Sequence, residues 1–268
     1  MSATASGDAA ASSPPASSPE IRHWDASTYD RISDPMTQWG AEVLGRLPLA
    51  DGDIVLDAGC GTGRVTELLL DRMTGGQVVA LDAAAAMLAE ARRRLARFGD
   101  RVTYVEADLL DLAPETVGGW APVDAVFSTA TFHWVLDHDR LFDLLARVLR
   151  PGGHLVAQCG AQGNIARLIE AVRATGSDRA GAWFYASPED TRRRLERSGF
   201  TDVDVWTHSE PTPIDPADLE TYLETVCLRT HVASMTPDER RAFLPAVVAA
   251  LGEPVIDYVR LNIVARRA

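Results

Sequence analysis

The chain has 268 residues, 46% of them hydrophobic, and a formal net charge of −12. That length holds one large domain with room for a modest cap, and no apolar run reaches the length a membrane-spanning helix needs. The acidic balance, with no basic run interleaved with aromatics, argues against a nucleic-acid substrate, whose phosphates draw a positive surface; all 26 basic residues are arginine, which excludes any mechanism that needs a lysine.

Residues 1–20 are mostly Ala, Ser and Pro and lack the basic start and apolar centre of a signal peptide, so a disordered tail is expected there. The remainder, 21–268, reads as one domain. It opens with a helical lead-in over residues 21–50 that carries several aromatics. Then comes IVLDAGCGTGRV, residues 54–65. Ile54, Val55 and Leu56 suit a parallel strand covered on both faces. Asp57 closes the strand, and Gly59, Gly61 and Gly63 alternate through a turn into a helix over residues 65–73. Glycine serves where backbone bends sharply or another molecule approaches closely. A dinucleotide fingerprint, G-x-G-x-x-G, fails here: counted from Gly59 its third glycine falls on Arg64, and from Gly61 on Thr66.

A second strand, residues 77–81, ends on Asp82, where a carboxylate can accept hydrogen bonds from both hydroxyls of a ribose. A helix over residues 83–95 follows, with Met87 and Leu88 on its apolar side. The third strand, residues 102–105, leads to Asp108, a candidate acceptor for an adenine amino group with the backbone of Leu109 beside it. A solvated carboxylate or helix cap is the plain alternative for any one of these acids. Three acids ending three successive strands fit one nucleoside.

Residues 123–128 form a fourth strand, followed by TATFHW (129–134), a helix over residues 136–149, and a turn and fifth strand from Pro151. Ser187 is a good N-cap, with Pro188 at the first helical position of a helix ending at Ser198, and Gly199 stops it. A sixth strand is expected over residues 202–207 and a seventh over residues 258–265. Between them, a cap insertion over residues 213–252 holds two helices, and Leu219, Tyr222, Leu223 and Val226 make one apolar face. Such a face is usually core; here it is expected to close as a lid over the sheet edge. Alternating strands and helices imply a sheet with helices on both faces. Cys60, Cys159 and Cys227 lie too far apart for a metal-ligand set, so no metal is expected, and their sparse count suits a reducing cytoplasm. No signal sets the oligomeric state.

The D-x-G-x-G-x-G turn resembles motif I of class I S-adenosylmethionine-dependent methyltransferases. The likeness runs from the lead-in, through Trp24 and Tyr29, to the C-terminus and is greatest toward the trans-aconitate methyltransferase group. It is carried by ATFHWVLDHDRLFDLLARVLRPGGHLVAQ from Ala130, LRTHV from Leu228, DERRAFL from Asp238 and YVRLNIVARR from Tyr258. The resemblance implies an α/β fold with a seven-stranded, mostly parallel, Rossmann-like methyltransferase sheet, helices on both faces and a small helical cap. It implies S-adenosyl-L-methionine as cofactor, held by Tyr29, Asp57, Gly59, Gly61, Gly63, Asp82, Ala83, Met87, Asp108, Leu109 and Thr129. One departure stands out: His133 occupies a position where that group is expected to carry Gln.

The chemistry asks for a nucleophile aligned with an activated methyl group and for water to be kept out. A carboxylate attacks unaided; a hydroxyl or amine needs a base, and His133, on the loop after the fourth strand, is the candidate. A structural histidine is its plain alternative. Arg229 and His231 are candidates to bind an anionic substrate, and Trp183, with Tyr185 and Tyr222, to line its pocket. The leading expectation is O-methylation of a small-molecule carboxylate or hydroxyl. The alternatives are an N- or C-methyltransferase of secondary metabolism and a cofactor-binding module without methyl transfer.

Overall fold

The computed structural model describes residues 34–177, 181, 183–233 and 235–268. Trp24, Tyr29 and the expected tail lie outside the described residues. These residues form one seven-stranded sheet built from β1 (Ile54–Ala58), β2 (Gln77–Asp82), β3 (Val102–Glu106), β4 (Val123–Thr129), β5 (Leu149–Gly160), β6 (Phe200–Pro213) and β7 (Val255–Arg267), in the order β3-β2-β1-β4-β5-β7-β6. The first five strands are parallel, and β7 runs antiparallel between β5 and β6.

Parallel neighbours need crossovers, and α2 (Arg64–Arg72), α3 (Ala85–Arg94) and α4 (His138–Val148) supply three of them; α1 (Asp34–Leu44) precedes β1, and α5 (Ala166–Ala174) and α6 (Pro188–Arg197) lie between β5 and β6. Strand alternation sorts the apolar side chains onto two faces. Val55, Val78, Ala80 and Phe127 pack with Leu69 and Leu70 of α2 and Ala91 of α3. Leu56, Val79, Leu81 and Val126 pack with Phe142 and Leu145 of α4 and Leu195 of α6. The strand order reverses between β1 and β4, which opens a crevice at their carboxyl ends.

Three features differ from the sequence expectation. β6 and β7 are much longer than expected and pair continuously from Phe200↔Arg267 to Pro213↔Val255 apart from one bulge. An edge strand alternates exposed and buried side chains, so its outer half, rich in Thr, His, Ser and Glu, carries little apolar signal. Helix α5 is additional to the expected elements; its N-cap, Ile165, is left-handed with φ 51° and offers no capping side chain. The cap is also more broken than two helices. It comprises α7 (Leu219–Tyr222), a π-turn over Leu223–Cys227, α8 (Arg229–Val232) and α9 (Pro237–Leu251), the last opened by a Thr236–Glu239 capping box. Leu219, Tyr222 and Leu223 bury against Trp39 of α1, Leu168 and Val172 of α5, and Tyr258 of β7, giving the cap its own core above the sheet edge.

Candidate active site

The glycine turn after β1 is tied to β2, because the amides of Gly59 and Cys60 both donate to the Leu81 carbonyl (2.8 and 2.9 Å). Gly59, Gly61 and Gly63 all have positive φ, at 88°, 55° and 80°. A Cβ on Gly59 would lie 2.2 Å from Thr131 Oγ1, and one on Gly63 3.3 Å from Ala91 of α3, so these two glycines permit close packing. A Cβ on Gly61 would meet nothing within 4 Å. That glycine faces open space, and the space is a cavity.

The cavity is lined by Gly59, Gly61, Asp82, Ala83, Met87, Asp108, Leu109 and Thr129, eight of the residues expected to hold the cofactor. Asp82 accepts the Gly61 amide at Oδ2 and the Ala84 amide at Oδ1, both at 2.9 Å, so one carboxylate braces the turn and the start of α3. Burial raises its pKa, against the hydrogen bonds that lower it. Asp108 caps the short turn after β3 through Oδ1 and the Leu110 amide (2.9 Å). Gly63 stands apart from the cavity, at the N-terminus of α2. The cavity thus holds two carboxylates, Asp82 and Asp108, beside apolar Met87 and Leu109.

A second cavity adjoins the first, lined by Asp57, Gly59, Gly61, Arg64 and Met36 among others. Asp57 is 2% exposed and accepts Thr66 Oγ1 at 2.6 Å, which ties β1 to α2. Burial pushes its pKa up to about 7, the Thr66 bond opposes that, and the nearby Asp82 charge adds to it.

A third cavity, under the cap, is lined by His133, Trp134, Trp183, Tyr185, Tyr258 and Arg260 together with Met36, Asn164 and Val226. Ala130 borders all three cavities. Its φ is 55°, a conformation costly for a residue with a Cβ, and its amide donates to the Gln158 carbonyl at 2.8 Å. Strain is thus held where the three spaces meet.

His133 is 8% exposed, and its Nδ1 accepts the Gly160 amide at 3.3 Å. That bond assigns the proton to Nε2. Burial, then the neighbouring charge of Arg260, pulls its pKa down to about 3. The ring is therefore neutral and a weak base, suited to donating a hydrogen bond from Nε2. His138 steadies the same loop, with Nε2 at 2.9 Å from the Phe132 carbonyl. Trp183 stacks on Tyr185 at 5.9 Å between ring centroids, and Tyr185 faces His133 at 5.9 Å. Arg229 and His231 are not brought to this cavity. His231 is buried against Phe243, ring on ring at 5.3 Å, with Nε2 3.0 Å from Ser177 Oγ.

The charged residue of this cavity absent from the sequence expectation is Arg260. It is 4% exposed, its Nε donates to Gln158 Oε1 at 3.3 Å, and its guanidinium lies over Trp39 and Tyr258 at 4.9 and 5.9 Å. No carboxylate of the described residues forms an ion pair with it. One sequence signal points to it: an arginine two residues on from inward-facing Ile256 and Tyr258 in an alternating strand. Among the described residues no cluster of three His, Cys, Asp or Glu side chains could hold a metal ion, and no helix is long and apolar enough to cross a membrane.

The chain has clear relatives among known proteins. Residues 55–153 match a family model described as a methyltransferase domain. The chain is 32% identical to a trans-aconitate 2-methyltransferase of Azoarcus sp., over 85% of this chain and 89% of that protein. It is also 32% identical to one of Methylobacterium radiotolerans, over 91% and 98%. Among solved structures, a phosphoethanolamine N-methyltransferase of Haemonchus contortus bound to S-adenosylhomocysteine superposes with a TM-score of 0.59 at 21% identity, covering 90% of this chain and 56% of that one. A geranyl diphosphate methyltransferase bound to S-adenosylmethionine gives 0.54 at 21% identity, covering 87% and 85%. At such identities the structural likeness speaks for the fold alone.

Proposed function

The chain belongs to the family of S-adenosylmethionine-dependent methyltransferases that includes the trans-aconitate 2-methyltransferases, and we propose that it esterifies a carboxylate oxygen of a small organic acid. The observation that carries this reading is Arg260: a buried guanidinium lining the third cavity, with no carboxylate partner among the described residues. A buried cation is costly unless paired, and an anionic substrate supplies the pair. The relatives' named substrate, trans-aconitate, is itself a carboxylic acid.

When bound, S-adenosylmethionine supplies a methyl group on a sulfonium, already activated for attack. The residues of the chain then have three tasks. Asp82 holds the ribose hydroxyls and Asp108 the adenine amino group, while the turn at Gly61, with Asp57 and Arg64, receives the methionine end. Arg260 presents the acceptor carboxylate toward Ala130, where the cavities meet. Trp134, Trp183, Tyr185 and the cap keep water out.

No base is required, because a carboxylate is ionised at neutral pH. This suits His133, whose pKa of about 3 makes it a poor proton acceptor. Its Nε2–H serves instead to orient the acceptor.

The test is the chemistry of the product. The purified protein is incubated with methyl-labelled S-adenosylmethionine and a panel of acids, alcohols and amines, and the products are treated with mild alkali. A carboxyl ester releases labelled methanol. Label that survives alkali as an ether or N-methyl group overturns the reading.

A further inference from the structure

Among the described residues the third cavity offers one cation and a largely aromatic wall, and Asn164, Tyr258 and the Gln158 amide behind Arg260 are already hydrogen-bonded. Asn164 Oδ1 accepts the Val259 amide at 2.9 Å, and its amide faces the Tyr185 hydroxyl. Gln158 Nε2 donates to Asn262 Oδ1 at 3.0 Å while its oxygen holds Arg260. The hydroxyls of Tyr258 and Tyr222 bond each other at 2.7 Å. His133 is neutral, and Arg64 lines the neighbouring cavity, where the cofactor's own carboxylate is to be received. Among the described lining residues, the guanidinium of Arg260 is the charged donor for an acceptor; the Nε2–H of His133, the indole N–H of Trp183 and the Tyr185 hydroxyl are neutral.

We propose that the acceptor is a monocarboxylic acid with an aromatic or otherwise apolar body, its carboxylate on Arg260 and its body against Trp134, Trp183 and Tyr185, rather than a di- or tricarboxylate. This rests on the carboxylate reading above and narrows it. One guanidinium neutralises one carboxylate. The two remaining charges of a tricarboxylate such as trans-aconitate would lie against indole and phenol faces, whose quadrupoles are negative, with no cation among the described lining residues to pair them. An apolar body gains from the same surfaces. In a monoacid the carboxylate held by Arg260 is also the one that reacts: its oxygen forms the new bond to the methyl carbon, the sulfur–carbon bond breaks, and the electron pair leaves on sulfur as the neutral thioether. The ester carries no charge for Arg260 to hold, so product leaves readily.

The experiment compares 4-phenylbutyrate, octanoate and trans-aconitate as acceptors for the full chain, following S-adenosylhomocysteine release. We expect kcat/KM for 4-phenylbutyrate to exceed that for trans-aconitate by roughly tenfold or more, as unpaired buried charge dictates. Methyl 4-phenylbutyrate should compete only weakly. Arg260→Met should raise KM for 4-phenylbutyrate roughly 10²-fold, the usual loss for a charge-assisted contact, with S-adenosylhomocysteine affinity unchanged. Should that variant lose S-adenosylhomocysteine binding and so fail as a fold control, Arg260→Lys decides. Retaining one charge, it should turn over the monoacid within about tenfold of wild type and still reject trans-aconitate; loss of that preference overturns the proposal. Faster esterification of trans-aconitate overturns the monoacid assignment and leaves carboxyl methylation standing. Turnover of alcohols or amines to alkali-stable products, with every acid inert, overturns both. A protein that neither binds nor methylates either monoacid overturns the proposal.

Discussion

Replacing Asp57 by asparagine isolates the cost of a buried charge at the root of the glycine turn. Asp57 sits at the end of β1 with its carboxylate 2.6 Å from Thr66 Oγ1, and burial moves its pKa from 3.8 to about 7. In the unfolded chain the carboxylate ionises near its ordinary value. The folded form therefore binds more protons than the unfolded form between these two pH values. Stability from this group is complete below pH 4 and is lost as pH rises to about 7. At 1.36 kcal/mol per pKa unit, the distance from 3.8 to about 7 is worth about 4 kcal/mol. Some of it has gone by pH 5, so about 3 kcal/mol remains to be lost between about pH 5 and about pH 8. Asparagine keeps an oxygen for the Thr66 hydroxyl and cannot ionise. Urea unfolding of both proteins without cofactor, at these two pH values, is the assay. The variant's stability relative to wild type should improve by about 3 kcal/mol from the lower pH to the higher. Parallel pH profiles for the two proteins would refute the reasoning.

Three further outcomes are expected. Asp82→Ala should weaken S-adenosylhomocysteine binding by about 2–4 kcal/mol in titration calorimetry, the loss of charge-assisted hydrogen bonds in a partly buried site; unchanged affinity removes Asp82 from the cofactor site. Gly59→Ala and Gly61→Ala should diverge, although both strain a positive φ by about 1 kcal/mol. The first also collides with Thr131 and lowers the melting temperature markedly, whereas the second, with nothing within 4 Å, chiefly lowers cofactor affinity. His133→Gln keeps an acceptor for the Gly160 amide, so turnover of a carboxylic acid should change by less than about tenfold; a fall of roughly 10²-fold would restore His133 as a base.

The first cavity, where we place the nucleoside, is legible in the sequence because a parallel sheet turns chain order into spatial order. Asp57, Asp82 and Asp108 each lie at or just beyond the end of a strand, those strands are neighbours in the order β3-β2-β1, and each acid is placed by its own strand and turn. Local signals suffice for such a site: an apolar run, an acid, and glycines that tolerate positive φ. The third cavity, where we place the acceptor, is built differently. Met36 comes from α1, Ala130 and His133 from the loop after β4, Trp183 and Tyr185 from the segment before α6, Val226 from the π-turn, and Arg260 from β7. Nothing local links them. They meet because β7 enters antiparallel between β5 and β6, which sets Arg260 in phase with Ile256 and Tyr258 and turns it beneath the cap. His231 shows the converse. Its place in a cap matched by sequence suggests a substrate contact, but the short turn of α8 rotates it onto Phe243 and Ser177. Residue order is thus enough to specify the cofactor and the sheet that carries it, through contacts made within single strand–turn–helix units. Which cation lines the third cavity is settled only by the folded chain, because that depends on the register of one late strand against partners about a hundred residues earlier.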